Sequence, residues 1–125
     1  MTMLQFRLPF PPSVNHYWRH ISKGPSAGRV LISEEGRAYR TNCAKDVLEQ
    51  RVPKRALRGK LAVVIWANPP DRRRRDLDNL LKSSLDALKH CGLIEDDGDI
   101  DDLHVTRGQV EKDGSLLVTM REIAL

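Results

Sequence analysis

Leu61-Ala62-Val63-Val64-Ile65-Trp66-Ala67, closed by Asn68-Pro69-Pro70, is the stretch whose reading decides the fold of this 125-residue chain. Its apolar residues follow one another without a break and are rich in β-branched side chains. The run is too short for a buried helix and suits a strand covered on both faces. The two prolines end it, because proline donates nothing to a ladder and holds the residue before it extended. Leu77, Leu81, Ser84, Leu85, Leu88 and Cys91 then recur at helical spacing, and Gly92 supplies a left-handed stop. A strand delivered into a helix is the unit of an α/β domain.

Toward the N-terminus, Lys54 to Lys60 is a basic connector and Pro53 closes an earlier helix. That helix opens at Ser33, an N-cap residue followed by Glu34 and Glu35, where the helix dipole favours negative charge. Tyr39, Cys43, Val47 and Leu48 repeat through about Gln50, with Arg37, Arg40, Lys45 and Arg51 on other faces. Leu4, Phe6, Leu8 and Phe10 alternate with Gln5 and Arg7, the period of a half-buried strand, and Pro11-Pro12 ends it. Arg29-Val30-Leu31-Ile32 reads as a short extra strand, and Lys23 to Gly28 as an exposed loop. Toward the C-terminus, Leu103 to Glu111 and Leu116 to Glu122 flank Lys112-Asp113-Gly114, a hairpin pattern around a DG turn. The expectation is one small α/β (α+β) domain over residues 1–125, with a mixed sheet and two main helices.

Apolar residues at 40% and charged residues at 30% suit a soluble globular domain, while aromatics at 5% are too few for a base-stacking surface. The net charge of +4 hides a partition. Glu95 to Asp102 holds six acids and no base, so the remainder sets 21 bases against 11 acids. A body this basic suits a phosphate-rich partner, with the acids reserved for another task. Cys43 and Cys91 belong to no metal-binding pair and read as small apolar helix residues in a reducing compartment. No apolar run approaches membrane-spanning length, and Gln5 and Arg7 interrupt any signal-peptide pattern. A cytoplasmic protein with no membrane partner is expected.

Two segments carry the chemistry. Asp71-Arg72-Arg73-Arg74-Arg75-Asp76-Leu77-Asp78 joins four consecutive cations to a D-x-D pair, and Glu95-Asp96-Asp97-Gly98-Asp99-Ile100-Asp101-Asp102 crowds its carboxylates together. Taken alone, the first is a helix cap with a solvated neighbour and the second a hydrophilic loop. A cap needs only one aspartate, however, and a loop does not require carboxylates this dense. Carboxylates held close call for a cation between them or for full exposure to water. Calcium fits poorly: with Asp97, Asp99 and Asp101 at positions 1, 3 and 5 of an EF-hand pattern, Asp102 and Gly108 stand where Gly and Glu are required. His16 and His20 have HxxxH spacing but lack an obvious third ligand. Magnesium suits the pattern, since it keeps several waters and takes one or two protein carboxylates plus phosphate oxygens. If Asp97 folds back beside Asp76 and Asp78, the ion sits at a helix start already favourable to phosphate. Arg75 and Lys82 would then offset charge on the scissile phosphate while Arg72, Arg73 and Arg74 bind its neighbours. Lys82 is also one helical turn from Asp78.

With these residues in view, the chain resembles the RusA family of Holliday junction resolvases, endonucleases common on prophages. The resemblance is carried by Leu8-Pro9-Phe10-Pro11-Pro12-Ser13-Val14-Asn15, Tyr17-Trp18-Arg19-His20, Ser33 to Arg40, Pro70 to Leu80, Lys82, Asp86-Ala87-Leu88 and Gly92 to Asp97. It implies catalytic metal-binding aspartates at Asp76, Asp78 and Asp97, with Asp96 as a secondary ligand, and functional bases at Arg75 and Lys82. It further implies a homodimer and Mg²⁺ as cofactor, and DNA contact is expected through Arg72, Arg73, Arg74, Arg75, Lys82 and Arg19, with Mn²⁺ able to substitute. Paired cuts related by a twofold axis need two copies of a chain that carries one acidic cluster. The expected activity is Mg²⁺-dependent resolution of four-way DNA junctions. Its rivals are a basic branched-DNA binder without cleavage and a metal-dependent nuclease of broader range.

Overall fold

The computed structural model describes residues 3–123. In chain order it comprises β1 (Met3–Leu8), α1 (Val14–Tyr17), β2 (Trp18–His20), β3 (Val30–Ile32), α2 (Glu34–Glu49) and β4 (Leu61–Asn68). There follow a 3₁₀ turn (Leu77–Leu80), α3 (Leu81–His90), a second 3₁₀ turn (Asp97–Asp99), β5 (Ile100–Arg107) and β6 (Ser115–Glu122). The main sheet is mixed, in the order β1-β6-β4-β5, and β2 and β3 form a separate two-stranded arm. The mixed main sheet and two main helices agree with the sequence reading, and β2–β3 adds a small second sheet.

The core lies between α2, α3 and one face of the sheet. Phe6 and Leu8 of β1, Val63 and Ile65 of β4, and Leu116, Val118 and Met120 of β6 are buried there with Tyr39, Cys43, Val47, Ala87 and Leu88 of the helices. Ser33 caps α2 as expected, its Oγ accepting from Gly36 N at 2.9 Å. Gly36 itself is dictated by packing, since a Cβ there would stand 2.4 Å from the Tyr17 carbonyl oxygen. Gly92 holds φ +75° where α3 stops, the left-handed conformation glycine adopts without strain.

Three expectations need correction. First, β4 is covered on one face only: Val64 and Trp66 are 41% and 46% exposed on the other. A continuous apolar run hides the period of two that would have revealed this. Second, Leu48 does not join the core; it is 77% exposed, because Val47 already points inward and the next residue turns away by the helix pitch. Third, the two C-terminal strands do not form a hairpin. The DG turn is present, with φ +66° at Asp113 and +70° at Gly114. It nevertheless connects strands on opposite sides of β4, since β5 pairs parallel with β4 on one edge and β6 antiparallel on the other. Local turn chemistry thus set the reversal, and the buried β4 took both pairings.

Candidate active site

Beyond β4 the chain makes a basic loop organised by its own first aspartate. Asp71 accepts from Arg73 N at 2.9 Å and from Arg75 Nη1 at 2.8 Å, and the Arg75 guanidinium also donates to the Asp71 and Arg73 carbonyls at 3.3 Å. The Arg75 bond, followed by those from Arg73, holds the Asp71 carboxyl well below the usual carboxylate range. Arg75 lies over the Phe10 ring at 5.5 Å, which fixes the loop against the segment after β1. From the far side Arg107, at the end of β5, donates to the Arg75 carbonyl. Arg75 is therefore half spent on its own loop. Arg72 and Arg74 are exposed and make no hydrogen bond or ion pair among the described residues.

Asp76 occupies the N-cap position of the turn Leu77–Leu80, but its side chain makes no cap bond. Its backbone carbonyl accepts from Asn79 N at 3.1 Å instead, and Asn79 Oδ1 accepts from Val14 N at 3.3 Å. Asp76 and Asp78 are both exposed, and neither carboxylate is engaged in an ion pair among the described residues. Asp76 borders a cleft of about 820 Å³ between Pro9–Ser13, the start of α2 and the arginine loop. Asp76, two residues before the exposed Asp78, therefore lines a cleft that also carries Arg73, Arg74 and Arg75.

The third aspartate lies elsewhere in the same chain. Asp97 opens the turn that leads into the start of β5, and Ile100 pairs with Leu61 at the beginning of β4. Asp76 and Asp78 follow the end of β4, level with Arg107 at the other end of β5. The length of β5 and of the antiparallel α3 separates them, roughly 20 Å at strand rise. Among the described residues no three His, Cys, Asp or Glu side chains group to hold a metal ion. The expected fold-back of Asp97 within one chain is thus not formed, because a helix that joins parallel β4 and β5 must carry the chain back to the end of the sheet where β4 begins. Asp96 is drawn to Lys89 Nζ at 3.2 Å, and that lysine first, then Asp97, keeps its carboxyl low.

Lys82 does not pair with Asp78. Its ammonium lies 5.9 Å from the centre of the Trp18 ring, and the Trp18 indole nitrogen is buried without a partner. Asp86, one turn further, takes both guanidinium arms of Arg40 at 2.9 and 3.1 Å and accepts from the Tyr17 hydroxyl. Burial, then the Asp86 bond, raises the Tyr17 hydroxyl well above its usual range. This triad ties α1, α2 and α3 together beneath Lys82. The sequence does not reveal this triad, because no local spacing links residues on three elements. Arg19 is exposed on β2, within the two-stranded arm.

The fold and these groups define a class: a small α+β domain that presents a free aspartate pair and a guanidinium cluster at one strand-to-helix junction, a chemistry directed at phosphodiesters. Residues 9–121 match the family model described as endodeoxyribonuclease RusA. Over 123 residues the chain is 38% identical to the crossover junction endodeoxyribonuclease of Enterobacteria phage HK97, 41% to that of Enterobacteria phage 82 and 39% to that of Escherichia coli K12. Each alignment covers 98% of both chains. The chain belongs to the RusA endodeoxyribonuclease family.

Proposed function

We propose that the chain is a divalent-metal-dependent endonuclease that resolves four-way DNA junctions by paired, symmetric cuts, and that it acts in the cytoplasm as a homodimer. The observation that carries the reading is the Asp76–Asp78 pair: two exposed carboxylates, unspent on capping or ion pairs, beside a loop of four arginines. Crossover junction endodeoxyribonucleases, by name, are the relatives aligned along almost the whole chain.

The donor set fits Mg²⁺, with Mn²⁺ as a substitute: Asp76 and Asp78 supply the one or two carboxylates such an ion takes from protein. Because Asp97 sits at the far end of α3 and β5, a second copy related by a twofold axis provides it, so that each site joins Asp76 and Asp78 of one protomer to the partner's Asp97. Asp96 stands next to that ligand as a secondary donor. Bound there, the metal polarises a phosphate and lowers the pKa of water. Arg72, Arg73 and Arg74 hold flanking phosphates, Arg75 fixes the loop and offers its remaining donors to the strand, and Lys82, propped on Trp18, faces the same backbone. Arg19 extends the contact along the β2–β3 arm.

The test is incubation with a synthetic four-way junction in Mg²⁺ and again with EDTA. Symmetric nicks that vanish with chelator are expected. A junction that is shifted but intact in Mg²⁺ favours the binding protein, and equal cutting of junction, Y-fork and linear duplex favours the broader nuclease.

A further inference from the structure

We propose that Trp18 is a positioning residue: its indole ring holds the Lys82 ammonium off Asp78 and so keeps that carboxylate free for a divalent cation. The inference deepens the metal reading above and rests on it for its consequence; the contact between ring and lysine stands on geometry alone.

Asp78 and Lys82 are four residues apart with the carboxylate on the N-terminal side, the order in which an ion pair along a helix is most favourable. Both side chains are exposed, yet no ion pair joins them. Lys82 Nζ lies instead over the Trp18 ring, 5.9 Å from its centre. An ammonium within about 6 Å of an aromatic centroid is drawn to the ring's negative face, and indole is the strongest such face. At an exposed site that attraction and an aspartate–lysine pair are of similar size, so ring and carboxylate compete for one flexible cation.

The ring is held in place from below. Tyr17, fully buried, packs edge-on against Trp18 with centroids 5.0 Å apart and planes at 73°, and Tyr39 packs edge-on against Tyr17 at 6.2 Å. The Tyr17 hydroxyl donates to Asp86, which also takes the Arg40 guanidinium. Lys82 and Asp86 are one turn apart on α3, so Tyr17 and Trp18, consecutive in sequence, meet that helix at successive turns. On the arm, Trp18 stands opposite Ile32. Packing alone does not call for an indole here. Its Nε1 is buried without a hydrogen-bond partner among the described residues, a cost that phenylalanine would not carry. What the indole adds is the face it offers to Lys82. Released from that face, Lys82 would turn back to Asp78 and compete there with Mg²⁺.

Nuclear magnetic resonance on the full chain without DNA or metal reads the contact. The Lys82 ε-methylene protons are expected to show cross-relaxation with the indole protons and an upfield ring-current shift. Trp18→Leu should abolish both, and Trp18→Phe should keep them in weaker form. The Mg²⁺ dependence of four-way-junction cutting reads the consequence. Trp18→Leu is expected to raise the Mg²⁺ concentration for half-maximal cutting about two- to fivefold, with cutting recovering as Mg²⁺ is raised, and Trp18→Phe should fall between. A loss of rate at every Mg²⁺ concentration with the half-maximal concentration unmoved would mark a merely structural residue and overturn the proposal. So would a native chain in which Lys82 shows no contact with the indole. A native Mg²⁺ demand in Trp18→Leu would also overturn it, and would assign the separation of Asp78 and Lys82 to the 3₁₀ turn at Leu77–Leu80. If Trp18→Leu loses the native far-UV spectrum, Trp18→Phe carries both readouts. Cutting that persists in EDTA sinks the metal reading together with the role given to Trp18, whereas a missing contact sinks only the latter, so the two failures are told apart.

Discussion

Arg75 Nη1 stands 2.8 Å from Asp71 Oδ1, so the arginine loop is closed by an ion pair one helical turn apart in sequence. The folded Asp71 carboxyl titrates below its ordinary value, with the Arg75 bond as the first cause. A group depressed in this way contributes order above the ordinary carboxylate range and loses it as pH falls through the folded value. The loop is therefore expected to keep its shape down through about pH 4, the ordinary aspartate value. Carbon-detected titration should give Asp71 a midpoint below the ordinary aspartate value, and Arg75→Ala should raise it part of the way back, since the bonds from Arg73 remain. An ordinary midpoint in the native chain would remove the ion pair from the account.

Asp86 anchors Arg40 and Tyr17 with side chains only about a quarter exposed: 25% for Arg40 and 23% for Asp86. Asp86→Ala strands a guanidinium and a hydroxyl in that setting and is expected to cost about 2 kcal/mol, given partial solvent access. For a chain of this size that lowers the thermal midpoint by roughly 8 °C. Asp86→Asn, which keeps an acceptor, should lose less. Calorimetry on both variants checks the order.

Burial pushes the Cys43 thiol up to about 12 and raises Cys91 as well. Neither is a thiolate at pH 8, and both are buried. A disulfide reagent should find no reactive thiol in the native chain and two per chain in denaturant. Rapid native labelling would contradict the packing of α2 against α3.

Arg72 and Arg74 point to solvent without partners among the described residues, as cations reserved for phosphate do. Each replacement by alanine is expected to weaken junction binding at every sequence alike. Each should also make the plot of log affinity against log salt shallower by about 1, one phosphate contact's worth of counterion release. An unchanged slope would mean that neither touches the backbone.

The sheet's central strand, the capped helix from Ser33 and the stop at Gly92 were legible because each rests on local chemistry: a β-branched run, an N-cap hydroxyl, a residue free to take positive φ. Strand pairing was not. Asp113-Gly114 announces a reversal but cannot say that β4 will stand between the strands it joins, since that depends on the crossover made by α3. The site divides along the same line. The basic loop and the aspartate pair lie together in sequence and are together in space. Asp97 joins them through the family resemblance, whereas its distance follows from a topology that no spacing records. Leu48 and Trp66 were misjudged because hydrophobicity reports what a side chain tolerates and the face of the element decides where it points.

The central claim is that each catalytic site is built from two protomers, and subunit complementation tests it directly. Asp78→Asn and Asp97→Asn are each expected to bind the four-way junction and leave it uncut in Mg²⁺. Unfolded together and refolded as a mixture, half the dimers pair one of each variant. In those, one site carries Asp76 and Asp78 from the Asp97→Asn chain and an intact Asp97 from the other, so nicking should return, on one strand per junction. A mixture as inactive as either variant alone, with mixed dimers present, would contradict the shared site.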